Sequence, residues 1–191
     1  MTPRTEEQFE EIREEKKALI KNVALELFAS DGYYDSSISK ISKRAGISKG
    51  LMYNYFTSKE ELIKEIIFDG MDEFVKVFDP NKDGVLTDEE FIYFIEESVR
   101  ILKSNIKYWR LYFSIIFQPT VMKLVEDKSL EMMTPFYKIL LDFFQRKGSK
   151  TPGIDARLFT SMMDGVSLNY VVDPENFPIE EIKQNIINMY K

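Results

Sequence analysis

The sequence predicts an all-α fold of about nine helices, and three observations carry that expectation. Apolar residues recur at three- and four-residue intervals along most of the 191 residues. Runs of alternating β-branched residues are missing, and Ser, Thr, Asp and Gly break the apolar stretches where helices are capped or stopped.

The first helix is expected over 7–30, with Ile20, Ala24, Leu27 and Phe28 on one face. Asp31-Gly32 ends it, because glycine adopts a left-handed backbone without strain. Ser36 or Ser37 caps a second helix that turns Ile38 and Ile41 inward and stops at Ala45-Gly46. Ser48 caps a short third helix around Leu51–Phe56. Ser58 caps the fourth, whose first turn holds Glu60 and Glu61, the sign that complements the helix dipole. Two short helices flanking Ala45-Gly46-Ile47 spell a helix-turn-helix, the arrangement that lays its second helix in the DNA major groove.

Charge points the same way. Residues 36–59 carry five basic residues and no acidic one in a chain of net charge -6, and residues 1–60 are balanced at ten of each sign. The excess negative charge therefore lies outside the N-terminal third. A basic patch on an acidic body attracts phosphates locally while limiting indiscriminate adhesion. A solvated lysine-rich face is the plainer use of the same residues.

Zero cysteines exclude disulfides and thiolate metal sites, and zero histidines remove the usual general base and the commonest zinc ligand. The carboxylates show no paired arrangement, so no enzyme is expected. No apolar run approaches the roughly 20 residues that span a bilayer, and the amino end is charged where a signal peptide is greasy. No membrane partner and a cytoplasmic location are expected.

The N-terminal residues resemble the TetR-type bacterial transcriptional regulators. Ala24-Leu25-Glu26-Leu27-Phe28 leads to Gly32-Tyr33, then Ser36-Ser37-Ile38, Ile41, Ala45-Gly46-Ile47-Ser48-Lys49-Gly50, Tyr53-Asn54-Tyr55-Phe56 and Lys59-Glu60-Glu61-Leu62, at that family's spacing over about a third of the chain. Ser42 stands where alanine is usual, and Tyr55 where histidine is common. The resemblance implies a DNA-binding domain over 1–60 and an effector-binding, dimerising helical domain over 61–191. With the helical geometry, it places Ser37, Lys40, Lys49, Tyr53, Tyr55 and Lys59 against phosphates. Gly50 lets the backbone approach the groove, and Lys49, Leu51, Asn54 and Tyr53 are candidates for base edges. Packing is the alternative role for Tyr53 and Tyr55. Ile38, Ile41, Ala45, Ile47, Met52, Phe56 and Leu62 are expected in the small core.

A second motif is independent of that resemblance. Asp79 to Glu90 satisfies the D-x-[DN]-x-[DN]-G-x5-E calcium loop: Asp79, Asn81, Asp83 and Glu90 as side-chain ligands, Val85 through its carbonyl, Thr87 directly or through water, and Gly84 for the sharp turn. Phe74 and Phe78 precede it, and Phe91, Phe94 and Ile95 follow, as in an EF-hand. Asp-Pro-Asn-Lys-Asp-Gly is also good turn chemistry and Thr87 to Glu90 a capping box, so a plain connection between helices stays open. No cofactor is required; calcium is the one this loop admits. Its expected position is the joint between the two domains.

Beyond Glu90 the chain is rich in aromatics and methionine, which fill a core or line a pocket for an apolar ligand. The resemblance implies an effector cavity, placed around Trp109, Phe113, Phe117, Met133, Tyr137 and Met163. The last two helices, over 155–172 and 179–190, carry Leu158, Phe159, Met162, Met163 and Val166, then Ile182, Ile186, Ile187 and Met189. These stripes serve a two-fold homodimer interface or an intrachain core. The expected function is a repressor that binds a palindromic double-stranded operator as a dimer and is released by a small molecule. The rival from another class is a calcium sensor acting through a protein partner.

Overall fold

The computed structural model describes residues 6–190; the first five residues of the charged amino end, and Lys191, lie outside the described residues. Nine helices and no strand occur among the described residues: α1 (Glu6–Asp35), α2 (Ile38–Arg44), α3 (Lys49–Tyr53), α4 (Lys59–Phe78), α5 (Asp88–Ser104), α6 (Ile106–Ile116), α7 (Pro119–Arg146), α8 (Pro152–Val172) and α9 (Ile179–Tyr190). None of them is long and apolar enough to cross a membrane.

The chain divides into two compact units. The first comprises residues 1–68 and 114–125, the second 69–113 and 126–191. The expected division after residue 60 therefore falls inside α4. Leu62, Ile63, Ile66 and Ile67 are buried, so the first half of α4 adds its apolar face to the N-terminal core. The α6–α7 corner joins that unit through Gln118, whose amide accepts from the Tyr33 N–H at 3.3 Å and donates to the Phe28 carbonyl at 3.2 Å.

In the first unit α1 packs on α2 and α2 on α3. Helical structure continues past the expected stop at Ser30, but Gly32 breaks it locally with φ 81 and ψ 163. Ser36 and Ser37, which the sequence leaves as alternatives, divide the labour. Ser37 is the α2 cap, accepting from the Lys40 N–H, whereas Ser36 is fully buried and donates to the carbonyls of Leu27 and Gly32. Ser42, where the resemblance expects alanine, is also buried, and its hydroxyl is satisfied by the Ser39 carbonyl at 3.1 Å.

In the second unit α5 packs on α8 and α9. Phe91 is the centre of the core, stacked on Phe143 and against Phe159 at 4.6 Å in each case, with Phe78, Phe94, Leu140, Ile186 and Ile187 buried around it. Truncating one such buried phenylalanine to alanine costs about 3–5 kcal/mol. The C-terminal stripes consequently split. Phe159, Ile186 and Ile187 belong to this core, with Met162, Met163, Val166 and Ile182 packed against it, while Leu158 and Met189 stay exposed beside Ile154 and Val172.

Candidate nucleic-acid interface

The turn between α2 and α3 is fixed entirely by local chemistry. Gly46 takes φ 66 and donates to the Lys43 carbonyl, and Ile47 donates to the Ser42 carbonyl at 3.0 Å. This is the Schellman pattern, which satisfies the orphan carbonyls of α2 and needs a glycine at the left-handed position. Ser48 then accepts from the Leu51 N–H at 3.1 Å and starts α3. Ile41, Met52 and Phe56 are fully buried beneath the pair.

What α3 turns outward is the set the sequence singles out. Lys49, Gly50, Leu51, Tyr53 and Asn54 are exposed. Tyr53 is 46% accessible, so core packing does not hold it. Tyr55 is only half-exposed. A Cβ built on Gly50 meets nothing within 4 Å, so nothing in the chain itself demands glycine there. Ser37 and Lys40 are exposed at the start of α2, with the Lys40 ammonium 2.6 Å from Asp31. That ammonium holds the Asp31 carboxyl below its usual range, with Ser30 as the second donor. Arg44 pairs with Glu26 at 3.3 Å.

Lys59 has a partner within the chain. Its ammonium donates to the carbonyls of Tyr33 at 2.7 Å and Tyr34 at 3.3 Å, and burial pushes its pKa down. The carbonyl end of α1 draws this cation inward, so Lys59 closes that end. Sequence reasoning missed this role and also missed Gln118. Both act on partners remote in sequence, and no local pattern marks such pairs.

The remaining candidates lie elsewhere. Trp109 is buried and donates from Nε1 to the Ile101 carbonyl at 2.9 Å. Phe113 contacts its ring and is half-buried, as are Met133 and Met163. The Tyr137 hydroxyl bonds Thr160, and Phe117 is exposed at the α6–α7 corner in the first unit. The 79–90 loop lies wholly within the second unit. Among the described residues no three acidic side chains are grouped as they are around a metal ion.

Residues 20–66 match the family described as bacterial regulatory proteins, tetR family. The chain is 26% identical over 161 residues to the HTH-type transcriptional regulator UidR of Escherichia coli strain K12, covering 82% of this chain and 80% of that one. It is 21% identical over 185 residues to a fatty acid metabolism regulator protein of Bacillus subtilis strain 168, covering 89% and 91%. Its fold is similar to the solved structure of NalD from Pseudomonas aeruginosa, with a TM-score of 0.71, 19% identity, and 93% and 96% of the two chains covered. Residues 20–66 are a tetR-family helix-turn-helix domain, and the chain that carries them is a DNA-binding transcriptional regulator.

Proposed function

We propose that this regulator is a repressor that grips a palindromic operator as a homodimer and is released by a small apolar molecule held among its C-terminal helices. The observation that carries the DNA part is the outward face of α3. Lys49, Gly50, Leu51, Tyr53 and Asn54 are all exposed there, and the glycine has no neighbour to avoid. Such a face pairs a cation for phosphate or guanine, an amide able to read adenine, and a bare stretch of backbone for close approach.

Dimerisation is supported by the exposed apolar residues of α8 and α9, namely Ile154, Leu158, Leu168, Val172 and Met189, which the chain's own core leaves uncovered. Two copies joined by a two-fold axis read two half-sites one helical turn or a multiple apart. Repression and an apolar effector are supported by similarity. NalD is described as the secondary repressor of a multidrug efflux pump, and the Bacillus subtilis relative as a regulator of fatty acid metabolism. Trp109, Phe113, Met133, Tyr137 and Met163 supply the polarizable surface that such a ligand prefers.

Selection of bound fragments from random DNA, followed by a gel shift with the winning sequence, tests the reading. Inverted half-sites are the expected result, with binding weakened by medium-chain or long-chain fatty acids and transcription from a promoter carrying the site reduced by the protein. A single unrepeated half-site, or transcription that rises on binding, contradicts it.

A further inference from the structure

Helix α8 presents to solvent a line of residues that its own chain leaves open. Ile154, Leu158, Leu168 and Val172 are exposed, with exposed Ser161 and half-exposed Gly165 between them. The six positions alternate steps of four and three, so at 3.6 residues per turn they fall within about 40° of one line along the helix. From Ile154 to Val172 that line is about 27 Å long. The opposite side of α8 is spent on the fold, since Ala156 and Phe159 are buried in the core around Phe91. Tyr137 and Leu141 of α7 are exposed as well, and the Tyr137 hydroxyl meets Thr160 Oγ1 at 3.3 Å, so the apolar surface continues onto α7. α9 offers no comparable line: Gln184, Asn185 and Asn188 are what it turns outward beside Met189.

The side chains along this line come in the same order of size from either end: large, large, small, small, large, large. Ile154 lies as far before position 163 as Val172 lies beyond it, Leu158 matches Leu168, and Ser161 matches Gly165. A surface that complements itself on reversal is what a two-fold axis demands of an isologous contact, whereas an unrelated partner imposes no such order. Charge follows the same division. Lys150 and Arg157 are exposed before the midpoint, and Asp164, Asp173 and Glu175 beyond it. Asp155, the one acid before the midpoint, accepts from the Ser149 hydroxyl. An antiparallel copy therefore sets opposite charges side by side, and a parallel copy sets like against like.

We propose that a second copy of this chain packs on this face, α8 against α8 in antiparallel register about position 163, with Ser161 of each protomer on Gly165 of the other and Leu158 of each on Leu168 of the other. This pairing presupposes the homodimer of the proposed function and locates its contact. The small residues stand at the middle, where two crossing helices approach most closely, and the large ones toward the ends, where the helices diverge. Glycine in mid-helix is unfavourable in isolation. A Cβ built on Gly165 meets nothing within 4 Å, so its own chain does not require glycine there and the space over it is open to the backbone of a partner.

The sequence holds no cysteine, so introduced thiols report the register without competition. Mild oxidation of the full-length double variant Leu158→Cys/Leu168→Cys should give a covalent dimer, because the two positions face each other across the axis. Neither single variant should, since like positions then stand about 15 Å apart along the helices, beyond the reach of a disulfide. Gly165→Leu, for which the protomer has room, should weaken the dimer at least about tenfold in sedimentation equilibrium while leaving the helical circular dichroism unchanged. A parent protein that is monomeric in the micromolar range overturns the homodimer and this pairing together. A dimeric parent whose double variant gives no covalent dimer, whose single variants cross-link as readily as the double, or whose Gly165→Leu variant associates undiminished overturns the pairing alone.

Discussion

The ammonium of Lys59 donates to the main-chain oxygen of Tyr33 at 2.7 Å and lies 4.2 Å from the centre of the same residue's ring. One cation thus satisfies a carbonyl at the end of α1 and sits on an aromatic face, joining the first turn of α4 to the segment that follows Gly32. Lys59→Ala should therefore act on stability, lowering it by about 1 kcal/mol, with the salt dependence of operator binding retained. Lys49→Ala should do the reverse, leaving the urea midpoint in place and reducing the slope of log affinity against log salt by about 1. Denaturation curves and fluorescence titrations on both variants check the pair; equal loss of salt slope in both would restore Lys59 to the DNA face.

Gly50 separates folding from recognition. Its backbone φ is not in the left-handed region and an added Cβ touches nothing within 4 Å, so alanine fits the free protein without strain. Alanine also loses less backbone entropy on folding. Gly50→Ala is expected to raise stability by about 0.5 kcal/mol while cutting operator affinity about tenfold or more through lost approach to the groove. A gel shift showing parental affinity would remove Gly50 from the interface.

How far the sequence reveals this molecule depends on the range of the interaction concerned. The Schellman turn at Gly46 and the caps at Ser37, Ser48, Ser58 and Thr87 are contacts within a few residues, and those signals are legible one helix at a time. The choice between Ser36 and Ser37 is not, because Ser36 is decided by the Leu27 and Gly32 carbonyls on the preceding helix. Periodicity also cannot divide α8. Leu158 and Phe159 are adjacent and equally apolar, yet one is 60% exposed and the other fully buried, according to where α5 lies against the helix. Nor does any local pattern mark Gln118 as the residue that brings the α6–α7 corner into the first unit, since its partners Phe28 and Tyr33 are remote in sequence.

Gly70 and Tyr112 form a contact that tolerates no extra atom. A Cβ on Gly70 would lie 2.3 Å from Tyr112 Cε2 and under 3 Å from two further ring carbons, and the ring itself is almost fully buried. Glycine in mid-helix is unfavourable in isolation, so here it serves close packing of a ring on the α4 backbone. Gly70→Ala should destabilise by about 1–3 kcal/mol through overpacking. Tyr112→Leu opens space beside the same backbone, and the double variant should lose about 1 kcal/mol less than the two single losses combined. Urea unfolding of the four proteins measures this coupling; strict additivity would mean the ring moves aside at little cost.

Acid and alkali should each weaken the fold through identifiable groups. Glu180 accepts from Lys103 and Lys183 at 2.5 Å each, and these two cations hold its carboxyl down at about 2, against an ordinary 4.5. A depressed carboxyl contributes stability that is complete above the unfolded value of 4.5 and is lost as pH falls toward about 2. Asp31 with Lys40, Glu61 with Thr57, and Glu97 with Arg100 shift in the same direction and add to the acid loss. Because Glu180 is exposed, its own share is small and falls further in high salt. Tyr108 acts at the opposite end: burial, and then the charges of Asp69 and Glu73, push its phenol up to about 12 from 10.0, so its contribution is whole below pH 10.0 and disappears as pH rises toward 12. Urea midpoints between pH 2 and 12 should therefore describe a plateau with two falling limbs. Glu180→Gln should make the acid limb shallower and, because Lys103 loses the carboxylate that raises its pKa, should also flatten the alkaline limb slightly, whereas Tyr108→Phe should flatten the alkaline limb alone. An acid limb identical in Glu180→Gln and the parent would show that the bridge from α5 to α9 contributes nothing to folding.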